Sequence, residues 1–371
     1  MKNLKLFRSF VTSVFFVVFG YAVTSHGQNK IAEFDTDHWE MKRAKIVEHM
    51  GRKSLMGVAY LKDVNFENGI VEVDFAVNGK RSYPGILFRV QSEDDFERFY
   101  IRPHRSGLYS DDLQYTPSFN GISGWQLYSG EGFTAAAVFP EDQWFRLKIE
   151  FAGKQARVYL NDGEQPILTI TDLKHGISKG TLGLLGPQNG TAYFSNFSYR
   201  SDNNLHFKPA PKVETAPGII TDWQISQSFK FSKVDYERTP NEQGLNITWQ
   251  KVTSEPSGLV DIARYVKRMD REPDLIIAKT TIYADKEESR KLQFGYSDDV
   301  SIFLNGKLLF AGKNGYQQRD PAYLGIVGFN DMVYLPLKKG NNKLLLMVAE
   351  TFGGWGFMCR EGNTVYNPGT K

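Results

Sequence analysis

Between residues 66 and 200 the chain alternates apolar and polar positions with a period of two. Val71, Val73, Phe75 and Val77 alternate with Glu72, Asp74 and Ala76, and Ile86, Phe88 and Val90 with Leu87, Arg89 and Gln91. Phe145, Leu147, Ile149 and Phe151 alternate with Arg146, Lys148 and Glu150, and Ala156, Val158 and Leu160 with Arg157, Tyr159 and Asn161. Successive side chains of a strand point to opposite faces, so each run predicts a strand with one buried face. Asn78-Gly79, Ala152-Gly153 and Asp162-Gly163 separate the runs and predict turns. A pattern of this kind closes as an antiparallel sandwich or jelly roll.

The flanking segments extend this picture. Residues 29–60 read as lead-in strands. Residues 201–218 carry Pro209, Pro211 and Pro217 among polar neighbours and read as a linker. From residue 219 the strand signals resume. Residues 282–296 hold two strands around Ala284-Asp285-Lys286-Glu287. Ser301 to Leu304, Asn305-Gly306 and Lys307 to Phe310 spell a hairpin with a type I′ turn. Residues 343–349 form an apolar strand after Lys339-Gly340-Asn341-Asn342, and residues 258–269 suggest one short helix. The expected fold is all-β: two antiparallel β-sandwich or jelly-roll domains after a cleaved signal peptide. The boundaries are 1–27 for the signal peptide, 28–200 for the first sandwich, 201–218 for the linker and 219–371 for the second sandwich.

Composition agrees. Of 371 residues, 41% are hydrophobic and 14% aromatic, and 34 are glycine, a balance suited to strands and tight turns. The net charge of +3 supplies no general attraction to nucleic acid or to an anionic membrane. Lys2, Lys5 and Arg8 precede an apolar stretch from residue 10 to 23, and Ser25 and Gly27 are small residues suited to cleavage before Gln28. This is the form of a bacterial secretory signal, too short for the roughly 20 residues of a comfortable span. The expected location is periplasmic or secreted, with no membrane span after cleavage. Cys359 is the single cysteine, which excludes an intramolecular disulfide and a lipidated cysteine behind the signal.

Two resemblances rest on particular segments. Asn68-Gly69-Ile70-Val71-Glu72-Val73-Asp74, Gly85-Ile86-Leu87-Phe88-Arg89, Trp144-Phe145-Arg146-Leu147-Lys148-Ile149 and Ala192-Tyr193-Phe194-Ser195-Asn196-Phe197 resemble the concanavalin A-like lectin/glucanase superfamily. That superfamily includes laminin-G-like modules and 3-keto-disaccharide hydrolase domains. Ser297-Asp298-Asp299-Val300-Ser301-Ile302-Phe303-Leu304-Asn305-Gly306 and the segment Lys338 to Leu346 resemble galactose-binding-like jelly rolls. Both resemblances imply sugars, and neither by itself implies catalysis.

Candidate chemistry gathers between Tyr100 and Trp125. Arg98, Tyr100 and Arg102 share one strand face, with Arg89 and Gln91 expected on the polar face of a neighbouring strand. His104, Gln114, Tyr115, Asn120 and Trp125 follow. Aromatic rings stack on the apolar face of a sugar, and Arg, Gln and Asn bond its hydroxyls. The expected ligand residues are therefore Arg89, Tyr100, Arg102, His104, Gln114, Tyr115, Asn120 and Trp125. Several arginines together favour an acidic or sulfated sugar. Two readings stay open: an exported carbohydrate-binding or glycan-processing accessory protein, and a carbohydrate-active enzyme. The enzyme would be a glycoside hydrolase, a 3-keto-glycoside hydrolase or a polysaccharide lyase, with His104, Tyr100 and Arg102 as catalytic candidates beside Gln114. Laminarinase-type members of the resembled superfamily carry a Glu-x-Asp-x-Glu strand; here Glu72-Val73-Asp74-Phe75 runs on to Ala76, which removes the usual acid/base. Glu72 and Asp74 then read as outward-facing strand residues. No cofactor is expected beyond a structural calcium, which the resemblance implies and the acidic loops Ser110-Asp111-Asp112 and Ser297-Asp298-Asp299 could serve.

Overall fold

The computed structural model describes residues 28–230, 238–240, 242, 244–269 and 274–366. The expected signal segment at 1–27 lies outside the described residues. The fold is almost entirely β. Among the described residues, 14 strands pair into one antiparallel sheet, and 7 and 4 strands into two more. No helix among these residues is long and apolar enough to cross a membrane.

The first sheet spans Lys30–Ile31 to Ala192–Ser201 and curls over a single core. Trp144–Ala152 shows the alternation most plainly: Phe145, Leu147, Ile149 and Phe151 are buried while Arg146, Lys148 and Glu150 are less so. Phe88 on Gly85–Val90 meets Phe151 across the core, with ring centroids 4.9 Å apart. These strands are not neighbours in the sheet, so the contact joins two layers. Burying one such aromatic contributes on the order of 2 kcal/mol.

Gly85–Val90 departs from the alternation because both of its faces are covered. Leu87 packs with Val58, Tyr60 and Phe96 on the side away from the main core. The pairing with Thr181–Leu185 slips here, since Thr181 faces Val90 and Gly183 faces Leu87. Two residues, Phe88 and Arg89, therefore oppose one, Leu182. Arg89 absorbs this bulge with a φ of +48°.

Asp74 also departs from expectation. It is buried, and its carboxylate accepts from Arg146 Nε at 2.8 Å, Arg52 Nη1 at 2.7 Å and Asn196 Nδ2 at 2.8 Å. The residue is a structural anion inside the sheet and does not face outward.

In the second sandwich the seven-stranded sheet includes Asp222–Ser226, Asp274–Ala284, Gly340–Glu350 and Asp299–Leu304. The four-stranded sheet is Leu259–Asp261, Gly356–Tyr366, Glu288–Ser297 and Asp331–Leu337. Between them lie Ile225, Ile276, Val348, Phe294, Trp355 and Phe357. The Asn305-Gly306 hairpin forms as expected, joining Asp299–Leu304 to Lys307–Lys313. The short helix expected at 258–269 does not form: Leu259–Asp261 is a strand, followed by one 3-10 turn at Ile262–Arg264. Val260 enters the core in extended geometry, held by pairing with Gly356–Tyr366, and Ile262 enters it from the start of the turn, where its N–H donates to the Trp355 carbonyl at 2.8 Å.

The two sandwiches dock tightly. Ile122 of the first packs into the core of the second. Tyr128 Oη lies 2.9 Å from both Glu255 Oε1 and Asp261 Oδ2, and Arg264 Nη2 donates to the same phenol at 2.8 Å. Lys174 adds an ion pair to Glu255 at 2.8 Å. Burial raises the Asp261 carboxyl to about 6.

Candidate functional site

Phe96–Ile101 turns Phe99 and Ile101 into the core and presents Arg98 and Tyr100 on the other face. Arg102 follows the strand and leads into the 3-10 turn Pro103–Arg105. The guanidinium groups of Arg98 and Arg102 lie over the Tyr100 ring, at 4.5 and 4.8 Å from its centroid. Tyr100 Oη donates to Gln114 Oε1 at 2.7 Å. Arg102 Nη2 donates to Tyr100 Oη and to Gln114 Oε1, while Nη1 donates to the Asp111 carbonyl oxygen. The Gln114 amide donates to the carbonyl oxygens of Trp125 at 2.8 Å and Tyr128 at 2.6 Å. One buried glutamine thus ties the arginine–tyrosine pair to the loop that carries Trp125. Asp111 receives Arg105 at 2.9 Å and Arg102 at 3.6 Å.

These groups open onto a cleft of about 680 Å³ between the two sandwiches. The first sandwich contributes Arg81, Tyr83, Arg98, Tyr100, Arg102, His104, Arg105, Asp111 and Trp125. The second contributes Arg268, Tyr316, Leu324, Glu350, Phe352 and Gly353. Arg81 bridges the two, since Nε donates to Tyr83 Oη at 2.9 Å and Nη2 to Tyr316 Oη at 3.1 Å. The Tyr83 ring meets His104 edge-on, with centroids 5.5 Å apart.

The electrostatics are one-sided. Five arginines line the cleft against two carboxyls, Asp111 and Glu350, and Asp111 already serves two of the arginines. Burial lowers the His104 pKa, and the positive charges of Arg81, Arg105 and Arg102 lower it further. The imidazole is therefore neutral at neutral pH and able to accept a proton. Burial raises the Tyr100 phenol, so it stays protonated. Glu350 is fully buried. Its Oε1 accepts the Gly354 N–H at 3.3 Å and its Oε2 has no partner. Burial, with the charge of Asp298 behind it, raises this carboxyl to about 8, so it holds a proton at neutral pH.

Of the residues singled out from the sequence, Tyr100, Arg102, His104 and Trp125 line this cleft, and Gln114 supports it from below. Three lie elsewhere. Arg89 is fully buried: its guanidinium donates to the carbonyl oxygens of Glu67, Gly153 and Gly176, at distances from 2.6 to 3.1 Å. The bulge removed it from the polar face shared by Arg98 and Tyr100. Tyr115 pairs with Phe99 on the core face, where its hydroxyl donates to Glu97 Oε2 at 2.5 Å and accepts the Lys174 N–H at 2.8 Å. Asn120 is a tie between the sandwiches, its Nδ2 donating to the Ala263 carbonyl at 2.8 Å. In the acidic loops Asp111 pairs with Arg102 and Arg105, while Asp112 Oδ1 and Asp299 Oδ1 have no hydrogen-bond partner. Asp112 Oδ2 accepts the N–H groups of Gly107 and Ala137, and Asp298 Oδ2 those of Thr351 and Phe352. Among the described residues, no group of three or more His, Cys, Asp or Glu side chains is placed to hold a metal ion.

Sequence reasoning missed Arg81, Tyr83, Arg268, Tyr316, Glu350 and Phe352. The glycine pair Gly353-Gly354 was the available signal for the last two. Gly353 has a φ of +108°, and a Cβ there would sit 2.2 Å from Gln126 Oε1, so a side chain would force the first sandwich away.

Residues 28–200 match the family model of the 3-keto-alpha-glucoside-1,2-lyase-like domain. The matched segment is the first sandwich, which supplies the arginine–tyrosine–histidine wall of the cleft. The match ties this half of the chain to carbohydrate chemistry. Solved structures similar to the chain include the carbohydrate binding module CBM66 from Bacillus subtilis, at 16% identity and TM-score 0.35, covering 44% of this chain and 96% of that one. Chicken galectin 2 is similar at 16% identity and TM-score 0.28, covering 37% of this chain and 98% of that one. A beta-glucosidase from Kluyveromyces marxianus is similar at 14% identity and TM-score 0.27, covering 38% of this chain and 16% of that one. No curated protein matches the chain.

Proposed function

We propose that this chain is an exported glycan-processing protein that binds a glycoside in the cleft and cleaves it by elimination. The observation that carries the reading is one neutral imidazole among five guanidinium groups, in a lining where the carboxyl pair of a glycosidase is missing. Hydrolysis with retention needs two carboxyls about 5 Å apart and free to act. Here Asp111 is committed to Arg102 and Arg105, and Glu350 is buried and protonated. Elimination needs a base, a carbonyl that acidifies the neighbouring C–H, and cations for the oxyanion that forms.

In a 3-keto-glucoside, the substrate type named by the family match, His104 takes the proton from C2. The C2–H electron pair enters conjugation with the C3 carbonyl, whose developing negative charge falls to the cleft arginines. That charge then returns to form the C1–C2 double bond as the C1–O bond breaks. The aglycone oxygen leaves with the bonding pair and is protonated. No oxidant and no water is consumed. A saccharide with an acidic group would use the same arginines for its carboxylate, which keeps uronate-containing glycans on the test panel.

The test is to incubate the purified protein with methyl 3-keto-α-glucoside, a 3-keto disaccharide and uronate oligosaccharides, following the unsaturated product by ultraviolet absorbance. The expected result is product from the keto-glycosides and its loss in His104→Ala. Binding without product on every substrate would overturn elimination and leave a carbohydrate-binding protein. Mature protein beginning at Gln28 in the periplasm or medium is the expected outcome for export; protein retaining residues 1–27 would reject it.

A further inference from the structure

The cleft has a second wall that the elimination step does not use. Trp125, Tyr316 and Phe352 meet pairwise, with ring centroids 6.2, 6.0 and 6.0 Å apart and planes tilted by 75°, 59° and 66°. Trp125 belongs to the first sandwich, and the other two rings belong to the second. Their positions are fixed from both sides. Gln126, fully buried beside Trp125, receives Ser297 Oγ at 3.0 Å, gives its amide to the Leu324 carbonyl at 2.8 Å, and gives its backbone N–H to the Gly353 carbonyl at 3.0 Å. Asp298 holds the turn of Phe352 through two N–H groups, each at 2.7 Å. Tyr316 is tied to Arg81.

Despite these ties, Phe352 is 58% exposed. An apolar ring held rigidly at the mouth of a polar cleft has little role in folding, because most of its surface remains in water. Tilted aromatic rings suit the C–H face of a pyranose, which is apolar on its flat side and hydroxylated at its rim. The Tyr316 hydroxyl and the Arg81 guanidinium lie at the edge of this wall, where such a rim would need hydrogen-bond partners. Arg81 also touches Tyr83, which packs on His104, so the aromatic wall is continuous with the reacting wall.

We infer that Trp125, Tyr316 and Phe352 form the subsite for the leaving group, and that the cleft selects glycosides whose aglycone is a second sugar ring. This rests on the reading of the cleft as a glycoside site. It makes the second sandwich part of the specificity of the first.

The experiment compares kcat/KM for a 3-keto disaccharide and for methyl 3-keto-α-glucoside in the wild type, Phe352→Ala, Phe352→Leu and Trp125→Ala. The wild type is expected to favour the disaccharide by about tenfold, the scale of one or two ring contacts. Phe352→Ala and Trp125→Ala should remove most of that preference, and Phe352→Leu should remove less. A fold-wide defect would lower both substrates together and leave the ratio intact. If the wild type turns over both substrates and the alanine variants keep its ratio, the subsite is wrong while the glycoside reading stands. If the wild type binds without turnover, the ratio of dissociation constants for the same two ligands replaces the kinetic ratio and decides the subsite in the same way. A wild type that neither binds nor turns over either compound rejects both inferences.

Discussion

Arg89 and Arg102 are both buried arginines of the first sandwich, and they do opposite things. Arg89 sits in a bulge, where backbone carbonyls of three separate segments take up its donors. Arg102 sits past the end of a strand, and its donors go mainly to side chains, Tyr100, which lines the cleft, and Gln114 beneath it. Carbonyl oxygens already spend a lone pair on the guanidinium and offer a ligand nothing. A guanidinium bonded to a phenol and an amide keeps its charge directed at the cleft. The partners of a buried arginine, more than its depth, separate a structural cation from a functional one.

Replacing each arginine tests the contrast most directly. Arg89→Met should lower unfolding free energy by about 3–5 kcal/mol, because it strands buried carbonyls and leaves a poorly filled site. Urea unfolding measures this, and the folded fraction should keep wild-type kcat/KM. Arg102→Lys should do the reverse: about a hundredfold loss of kcat/KM, the scale of one lost oxyanion donor, with stability within about 1.5 kcal/mol. Equal effects of the two changes on stability and on turnover would erase the distinction.

Glu350 extends the contrast to an acid. Its folded pKa is raised from 4.5 to about 8, so its contribution to stability is complete below about 4.5 and is lost as pH rises through 8. Glu350→Gln carries no such loss. Relative to wild type it should gain at least about 2 kcal/mol between pH 5 and pH 9, read from urea midpoints at both values. A constant difference would mean that the carboxyl is ionised throughout.

The smallest expected effect concerns His104. Burial and then Arg81 depress its pKa, so the acidic limb of kcat/KM should fall below pH 6.5. Arg81→Met should move that limb toward 6.5, read from the pH profile of kcat/KM. A limb that does not move would separate His104 from the proton transfer.

Much of this architecture can be read from the chain. The alternation of Phe145, Leu147, Ile149 and Phe151 and the Asn305-Gly306 turn are local signals, and both elements form where expected. Tyr100, Arg102 and His104 were legible because one strand and its following turn carry all three. Tyr115 was also decidable: it shares parity with Leu113, so it belongs with the core. Arg89 was not, because the bulge that turns it inward depends on pairing with Thr181–Leu185, far away in sequence. Tyr316, Glu350 and Phe352 were hidden for a stronger reason. Nothing local to the second sandwich states which edge of the first it meets, and the cleft exists only after they meet.

Ile122 gives that meeting a practical meaning. Its side chain is a plug from one half seated in the oily centre of the other. Producing either half alone, by dividing the chain within residues 201–218, would put the plug in water and leave Gln126 without its partners at Ser297, Leu324 and Gly353. The halves are therefore poor interchangeable parts. A fusion that grafts either one onto a foreign neighbour must bring the mating surface with it, or accept a sticky scar in place of a cleft.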